Sequence, residues 1–597
     1  MKVLCIGFYG HGNAGDEAIA RCLDRYLCKP FENVEMGFST VMSFGEAEKV
    51  NESNPFYLKR PIISVYDLEG IQSPDIVIVG GGDLSGIYGL QQVLKAKESG
   101  RAAIVARIGT SAKDDFLKGG EKAANLIKAS LESFDHISVR DRASFDVLGA
   151  MGIKAHLGAD LAIDMYENRA YQIPKRPYAI LVAREVRKED TERQVHVAKH
   201  VYDAMIREFD SVIILPFCKA DEEFSDHFSK LCKGSTVLKD IWKDPAKLKW
   251  VISNSQYVVS AGRLHPLVFA IGARRPCYAV TYPWLNGYDK VNGMMHHAGL
   301  GNRVSDWGSP PNEIGARLHD AIRTFHADQE VINIYSGHLK GLMLDSLCPI
   351  LTAMEAQHGL GIERGMKAGE FEVTDYDESY YFGARIFRQP HGEFMVYHPS
   401  RGDWAGWDVI KSFIMEKMKP DSLLDIGCGR GWFLKRMIEA GVKAQGVDMS
   451  TTAWAHSAPD MQQHIKVGEL GDIKHRRFDV VTSFDVMEHI FEEDIKESIT
   501  ALKESAGKYL FFNICAAPDN EDIHTIKKGM PIPKDMEWLA VSGHVTIRHR
   551  SWWKAKLEDE NWESDETMTD SLFAYPNFTF SSWLRHNIII LRRRRAA

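Results

Sequence analysis

The densest run of chemistry-bearing residues is Leu423-Leu424-Asp425-Ile426-Gly427-Cys428-Gly429-Arg430-Gly431-Trp432-Phe433. The apolar stretch Ser422–Ile426 predicts a buried strand, and three alternating glycines then open an amphipathic helix over 432–440. Glycine suits a sharp turn that a ligand must approach with no Cβ in the way. The next apolar segment, Ala444–Val447, ends in Asp448, 23 residues after Asp425. Such a unit lays a nucleoside across a helix N-terminus, and an acid at the tip of the second strand takes the ribose hydroxyls.

The nicotinamide fingerprint is G-x-G-x-x-G, whereas Asp425, Gly427, Gly429 and Gly431 form D-x-G-x-G-x-G. This pattern resembles motif I of class I S-adenosylmethionine-dependent methyltransferases, with Asp448 at the ribose position. A glycine turn without a cofactor is the plain alternative. Arg477–Phe484 predicts a further strand, and Asp485-Val486-Met487-Glu488-His489-Ile490 resembles the family's segment beside the transferred methyl. The resemblance implies S-adenosyl-L-methionine as cofactor, held by Asp425, Gly427, Gly429, Gly431, Asp448 and Asp485, with Glu469 near the adenine. Asp485 can equally cap a helix start. His489 is the candidate base for a sugar hydroxyl. Asn513-Ile514-Cys515 is expected to touch substrate, and Gly543-His544-Val545 resembles a late loop of glycan and small-molecule methyltransferases.

A chain of 597 residues is too long for one core and predicts several domains. Apolar content of 45% and charged content of 26% are ordinary for a soluble globular protein. A net charge of -8 leaves no basic footprint for nucleic acid. The exception is Arg592–Arg595, read as a solvated tail, with contact to an anionic membrane or glycan as the alternative. Nine scattered cysteines without C-x-x-C predict reduced thiols and a cytoplasmic location. No apolar stretch reaches membrane-spanning length, and Met1-Lys2 leads directly into a strand rather than a signal peptide.

The N-terminal stretch Val3–Ala18 predicts a strand, a glycine-rich turn and a helix to about residue 27. Gly10, Gly12 and Gly15 satisfy G-x-G-x-x-G, but the next apolar segment, Val34–Phe38, ends in Ser39-Thr40 with no acid for a ribose. The turn's amides and Asn13 instead suit a small anion or sugar hydroxyls. Strands and helices then alternate, with Asp75–Val79 breaking into Gly80-Gly81-Gly82-Asp83, and further strands at Ala102–Ile108 and His136–Asp141. A second series opens near Arg176, with strands at Tyr178–Ala183 (before Arg184), Ser211–Leu215 and Cys277–Val280. Within it, Arg263-Leu264-His265 stands at the start of an apolar helix. Two doubly wound parallel sheets facing each other is the glycosyltransferase-B-like layout.

Gly10-x-Gly12-Asn13-x-Gly15-Asp16-Glu17, the Gly80–Asp83 turn, Ile137–Asp141 and Arg263-Leu264-His265, in that order, resemble the polysaccharide pyruvyl transferase family over about residues 1–330. The family often has a bulkier residue than Gly262 before Arg-Leu-His. The resemblance implies phosphoenolpyruvate as co-substrate and a pyruvate ketal on a saccharide as product. Such chemistry needs a proton donor, cations for carboxylate and phosphate, and a base. His265 is the expected acid or base because its charge changes near neutrality. Arg263, Arg140 and Arg184 are expected at the anion, although an arginine at a helix start can also pair with a carboxylate. Asn13, Asp16 and Asp83 are expected at the opposite lip. No metal set is expected: adjacent His296-His297 do not converge.

The expected organisation is a pyruvyl transferase-like region at 1–355 (lobes about 1–170 and 171–355), a linker at 356–375, and a methyltransferase at 376–597. The expected function is bifunctional: pyruvyl transfer from phosphoenolpyruvate, and methylation, expected on oxygen, of a saccharide or glycan acceptor. A B-type glycosyltransferase, or a non-catalytic glycan-binding module, fused to an active methyltransferase are the alternatives. Peripheral association with a glycan-synthesis complex, and no nucleic acid, complete the expected partners.

Overall fold

The computed structural model describes residues 1–27, 34–40, 62–64, 74–80, 104–110, 120–185, 190–282, 290–358, 385–388, 394–397, 406–458, 460–469, 477–518, 523–528, 543–578 and 584–594, with 47, 93, 97, 102 and 536. Two compact units divide the chain. The first is Met1–Glu363 with Gly392–His398, and the second Arg364–His391 with Pro399–Ala597.

The first unit holds two sheets. Strands β1 (Lys2–Ile6), β2 (Glu35–Thr40), β3 (Ile62–Ser64), β4 (Ile76–Gly80), β5 (Ile104–Thr110), β6 (His136–Val139) and β7 (His156–Leu157) lie in the order β3-β2-β1-β4-β5-β6-β7. Strands β8 (Ala179–Ala183), β9 (Val212–Ile214), β10 (Thr236–Val237), β11 (Val258–Ala261), β12 (Cys277–Thr281) and β13 (Val304–Asp306) lie in the order β10-β9-β8-β11-β12-β13. Every pairing in both is parallel. The central strands are wholly apolar because crossover helices cover both faces. This is the glycosyltransferase-B-like pair of doubly wound sheets, and each order reverses beside β1 or β8, where such sheets bind ligands.

The lobes are tied through buried partners. Arg21 Nη1 meets Asp244 Oδ1 at 2.8 Å with both side chains largely buried. The amide of Ala14 donates to the carbonyl of Phe217 at 3.0 Å. A helix over His326–His358 closes the unit.

Short strands β14 (Arg385–Arg388) and β15 (Phe394–Tyr397) precede the second sheet-bearing region. There β16 (Ser422–Ile426), β17 (Lys443–Asp448), β18 (Ile465–Val467), β19 (Phe478–Phe484), β20 (Ala506–Asn513), β23 (Trp562–Ser564) and β24 (Ile588–Arg593) form the order β18-β17-β16-β19-β20-β24-β23. A hairpin of β21 (His524–Thr525) and β22 (Thr546–Ile547) stands apart. Strands β16 to β20 pair in parallel, while β24 runs antiparallel to both β20 and β23. The sheet is Rossmann-like, and its order reverses between β17 and β19, beside β16.

The arginine tail is corrected by β24. Arg592 Nε donates to Glu563 Oε1 at 2.9 Å, and Arg593 lies over the Trp562 ring at 5.9 Å. The four apolar residues Ile588–Leu591 pull this basic stretch into the sheet, so 592–594 is a paired strand end rather than a tail. Arg595 lies outside the described residues. Among the described residues, no helix is long and apolar enough to cross a membrane.

Candidate active sites

In the first unit, β1 runs into a turn pinned from below. Tyr9 is buried and its Oη donates to the carbonyl of Gly80 at 2.7 Å. Gly10 (φ 81°) and Gly12 (φ 73°) are left-handed, and the amide of Gly10 donates to Glu17 Oε1 at 2.7 Å. Glu17 also accepts from the Gly12 amide. The amide of Gly15 donates to Asn13 Oδ1 at 3.3 Å. These bonds correct the expectation that the turn offers its amides to an anion: Glu17, Asn13 and Phe217 take them. Sequence inspection had no means of seeing that a glutamate seven residues on folds back to fill the turn.

Asp16 stands on the same first helical turn, 6% exposed. Burial pushes its carboxyl up to about 7 against the pull of Lys290 and Arg140, and pushes Glu17 up to about 8. Arg140, just beyond β6, makes a buried ion pair through Nη1 with Asp160 Oδ2 at 3.0 Å. Arg263 grips Asp221 with two bonds, Nε–Oδ2 at 2.8 Å and Nη2–Oδ1 at 2.7 Å, and donates to Cys218 Sγ at 2.8 Å. Both arginines thus have the carboxylate partners that the sequence left open as an alternative. Arg184 differs. It follows β8, forms no ion pair among the described residues, and its buried Nε has no hydrogen-bond partner. Burial and the neighbouring Arg263 hold its pKa below the usual guanidinium value.

His265 begins the helix His265–Gly272, with Nε2 3.7 Å from Asp160 Oδ2. Burial pushes its pKa down to about 4, so the ring is neutral at pH 7. This corrects the expectation of a histidine poised to change charge near neutrality. Gly262 has φ 89°, and a Cβ there would stand 3.0 Å from the Tyr282 ring and 3.3 Å from Arg184 Cγ. A bulkier residue at that position would be strained. Asp160 and Lys290 join this cluster without having been singled out from sequence; neither belongs to a spaced motif. Asp83 lies outside the described residues.

In the second unit, Gly427, Gly429 and Gly431 all adopt left-handed backbone, with φ of 67°, 54° and 79°. A Cβ on Gly427 would stand 2.2 Å from Val486 Cγ2, so β19's following loop closes directly on the turn. The amide of Gly429 donates to Asp448 Oδ2 at 2.7 Å, and that of Ser450 to Oδ1 at 2.9 Å. Asp425 accepts from Thr482 Oγ1 at 2.7 Å, and burial, with Asp448 nearby, pushes it up to about 7. Glu469 is exposed in the loop after β18, where the amide of Gly468 donates to the carbonyl of Asp448 at 3.0 Å. A cavity of about 470 Å³ opens beside Asp448, lined by Thr451, Thr452, Trp454, Ala455, His456 and Val467.

Asp485 is left-handed (φ 55°), and its Oδ1 accepts from Asn513 Nδ2 at 2.6 Å. The capping alternative is not what the structure shows. The short turn Met487–His489 is preceded by Val486, with no side-chain cap. Sequence adjacency concealed what comes next. Glu488, His489 and His544 bring three ligand-type atoms within 4.8 Å of one another. His489 Nδ1 donates to the carbonyl of Gly543 at 2.9 Å, which leaves Nε2 with a lone pair. Buried Glu488 accepts from the Cys515 amide at 3.0 Å, and the Val545 amide donates to the Glu488 carbonyl at 2.8 Å. A histidine oriented by a backbone carbonyl and a carboxylate fixed by an amide are what a metal-ligand set requires. No metal set was expected from the sequence, yet these three residues could hold a divalent cation; the spacing of 55 residues between His489 and His544 hid their meeting.

Comparison with known proteins agrees with this division. The polysaccharide pyruvyl transferase family model matches residues 13–283, and a methyltransferase domain model matches 404–566. Curated relatives of the second region are ubiquinone biosynthesis O-methyltransferases. That of Alkalilimnicola ehrlichii is 36% identical over 132 residues, covering 20% of this chain and 49% of its own. That of Pelagibacter ubique is 30% identical over 136 residues, covering 20% of this chain and 57% of its own. The chain thus spans about half the length of the curated relatives it matches. Among solved structures, a UDP-GlcNAc 2-epimerase from Neisseria meningitidis aligns with 60% of this chain and all of its own at 11% identity and a TM-score of 0.38. The chain carries a polysaccharide pyruvyl transferase domain followed by a methyltransferase domain, both of transferase families.

Proposed function

We propose that the chain is a bifunctional, cytoplasmic glycan-modifying enzyme. The first domain transfers pyruvyl from phosphoenolpyruvate to two hydroxyls of a saccharide. The second methylates a glycan hydroxyl with S-adenosyl-L-methionine. The observation that carries the second activity is the Gly429–Asp448 bond, which sets an acid at the tip of β17 against the glycine turn, where ribose hydroxyls would be received. For the first, Arg184, which forms no ion pair among the described residues, serves the carboxylate or phosphate of the donor.

Ketal formation balances without an external reactant. One hydroxyl proton ends on the methylene carbon of phosphoenolpyruvate, which becomes the methyl group. Both hydroxyl oxygens bond to C2, and the C2–O bond to phosphate breaks. The second hydroxyl proton leaves on phosphate. Neutral His265 suits the role of accepting a hydroxyl proton, and Asp16, which burial keeps largely protonated up to neutrality, suits the role of donor.

Methyl transfer is an in-line displacement: the sulfur–methyl bond breaks as the hydroxyl oxygen bonds to the methyl, and the hydroxyl proton must leave. A divalent cation held by Glu488, His489 and His544 would supply Lewis acidity that lowers the hydroxyl pKa. Asp485 and Asn513, bonded to each other beside this segment, orient the acceptor. The test is thermal stability of the full chain with phosphoenolpyruvate, nucleotide-sugars and S-adenosylhomocysteine in turn, since a bound ligand raises the melting temperature. Shifts with the first and last are expected. A shift with a nucleotide-sugar in place of phosphoenolpyruvate would replace pyruvyl transfer by glycosyl transfer.

A further inference from the structure

The imidazole of His265 is wedged between a carboxylate and a backbone turn. Its Nε2 is buried, has no hydrogen-bond partner within bonding distance, and stands 3.7 Å from Asp160 Oδ2. A Cβ added to Gly15 would fall 1.8 Å from Nδ1, 2.2 Å from Cγ and 2.4 Å from Cε1, so Gly15 packs against the face of the ring at that end. Nδ1 therefore lies directly over the turn that opens the helix Ala14–Leu27. Asp160 is fully buried and held at both oxygens, Oδ2 by Arg140 Nη1 at 3.0 Å and Oδ1 by the Ala162 amide at 3.0 Å. It cannot swing away from the ring.

We propose that Asp160 is a positioning residue that holds His265 as the Nε2–H tautomer, so that Nδ1 keeps its lone pair and is the atom that exchanges protons. A carboxylate can accept a hydrogen bond but cannot donate one, so the nitrogen facing it carries the hydrogen. The reverse tautomer would set a ring lone pair against the carboxylate. The role deepens the pyruvyl-transfer reading and rests on it. Asp16 gives its proton to the methylene carbon as the hydroxyl oxygen bonds to C2, Nδ1 takes the proton of that hydroxyl, and the imidazolium passes it to the Asp16 carboxylate. The ring ends neutral, as it began. Burial disfavours the charged ring, as do Arg140, Lys290 and Arg263, while Asp160 alone favours it. The imidazolium is thus short-lived and hands its proton on. Gly15 is required because any side chain there would collide with the His265 ring.

The experiment uses the full-length chain labelled with ¹⁵N,¹³C-histidine, with the His265 signals assigned by difference against His265→Gln. At pH 7.5, Nε2 is expected at the shift of a protonated ring nitrogen and Nδ1 at that of an unprotonated one. In Asp160→Asn, whose amide can donate as well as accept, the two nitrogens are expected to share the proton. A protonated Nδ1 in the wild-type chain, or identical spectra in the two chains, would overturn the proposal. A purely structural Asp160 would lower the melting temperature without moving the ring shifts. The wild-type spectrum decides by itself if the variant does not fold. Calorimetry with phosphoenolpyruvate tests the parent reading separately: no binding, with the Nε2–H tautomer present, would discard pyruvyl transfer and leave the positioning role standing.

Discussion

Gly429 donates its amide to Asp448 across the first turn of the second unit, at 2.7 Å, and so fixes the carboxylate to which we assign the ribose hydroxyls. The bond uses one carboxylate oxygen, and the Ser450 amide donates to the other at 2.9 Å. Asp448→Ala removes a charged acceptor worth about 1.5–3 kcal/mol. Affinity for S-adenosylhomocysteine, measured by calorimetry, is expected to fall by about 10- to 100-fold. Unchanged affinity would show that the ribose lies elsewhere.

Arg184 and Arg263 should respond in opposite ways. Arg184→Ala is expected to weaken phosphoenolpyruvate binding by at least about tenfold, the loss of one charge-assisted contact, with little change in stability. Arg263→Ala leaves Asp221, whose side chain is 2% exposed, without its cation. Breaking such a pair costs about 3–5 kcal/mol, so its main effect is expected in urea unfolding. Equal effects on binding from both would mean that Arg263 also reaches the donor.

The Glu488–His489–His544 set predicts one divalent ion bound by the second unit. Mn²⁺ followed by electron paramagnetic resonance is expected to bind the intact chain, and His544→Ala to weaken it at least about tenfold, in line with losing one ligand. Methyl transfer is expected to fall on adding EDTA and return with Mg²⁺ or Mn²⁺. Full activity in excess chelator would leave His489 acting as a base without a metal.

Glu17 makes the first unit's stability depend on pH. Its folded pKa, pushed up to about 8 by burial, lies above the ordinary value of 4.5. Between those values the folded state holds a proton that the unfolded chain has lost, so this residue's contribution falls as pH rises. Glu17→Gln keeps an oxygen for the Gly10 amide and cannot ionise. The variant is expected to gain on the wild type progressively from pH 4.5 to 8, by a few kcal/mol at most, given about 1.4 kcal/mol per pK unit. A constant difference across that range would show that Glu17 is ionised in the folded chain.

Much of this was legible before any coordinates. Strand Ser422–Ile426 matches the apolar run residue for residue, because a buried parallel strand shows as an uninterrupted apolar segment. The glycine turn of the second unit was equally readable, since three left-handed positions leave little choice of residue. What escaped was whatever depended on partners distant in sequence. Glu17 filling its own turn, Asp221 taking Arg263, and His544 meeting His489 are side-chain encounters that no local pattern encodes. Charge misled for the same reason. An arginine just past a strand reads as a ligand contact, yet Arg140 found Asp160, whereas Arg184 forms no ion pair among the described residues. The basic run at 592–594 read as a tail because its charges drew more notice than the four apolar residues before it.

The antiparallel strand β24 has a consequence for how the protein is made. It is the latest-synthesised strand of its sheet, yet it lies inside it, between β20 and β23. While the ribosome still holds residues 588–593, β20 and β23 each present an open edge with no neighbour, and the core residues Ile588–Leu591 are missing. Domains otherwise begin to fold from the N-terminus as they emerge. The second unit's sheet therefore cannot close until β24 has emerged, and until then its open edges and the gap left by Ile588–Leu591 are where the nascent chain is most exposed to aggregation.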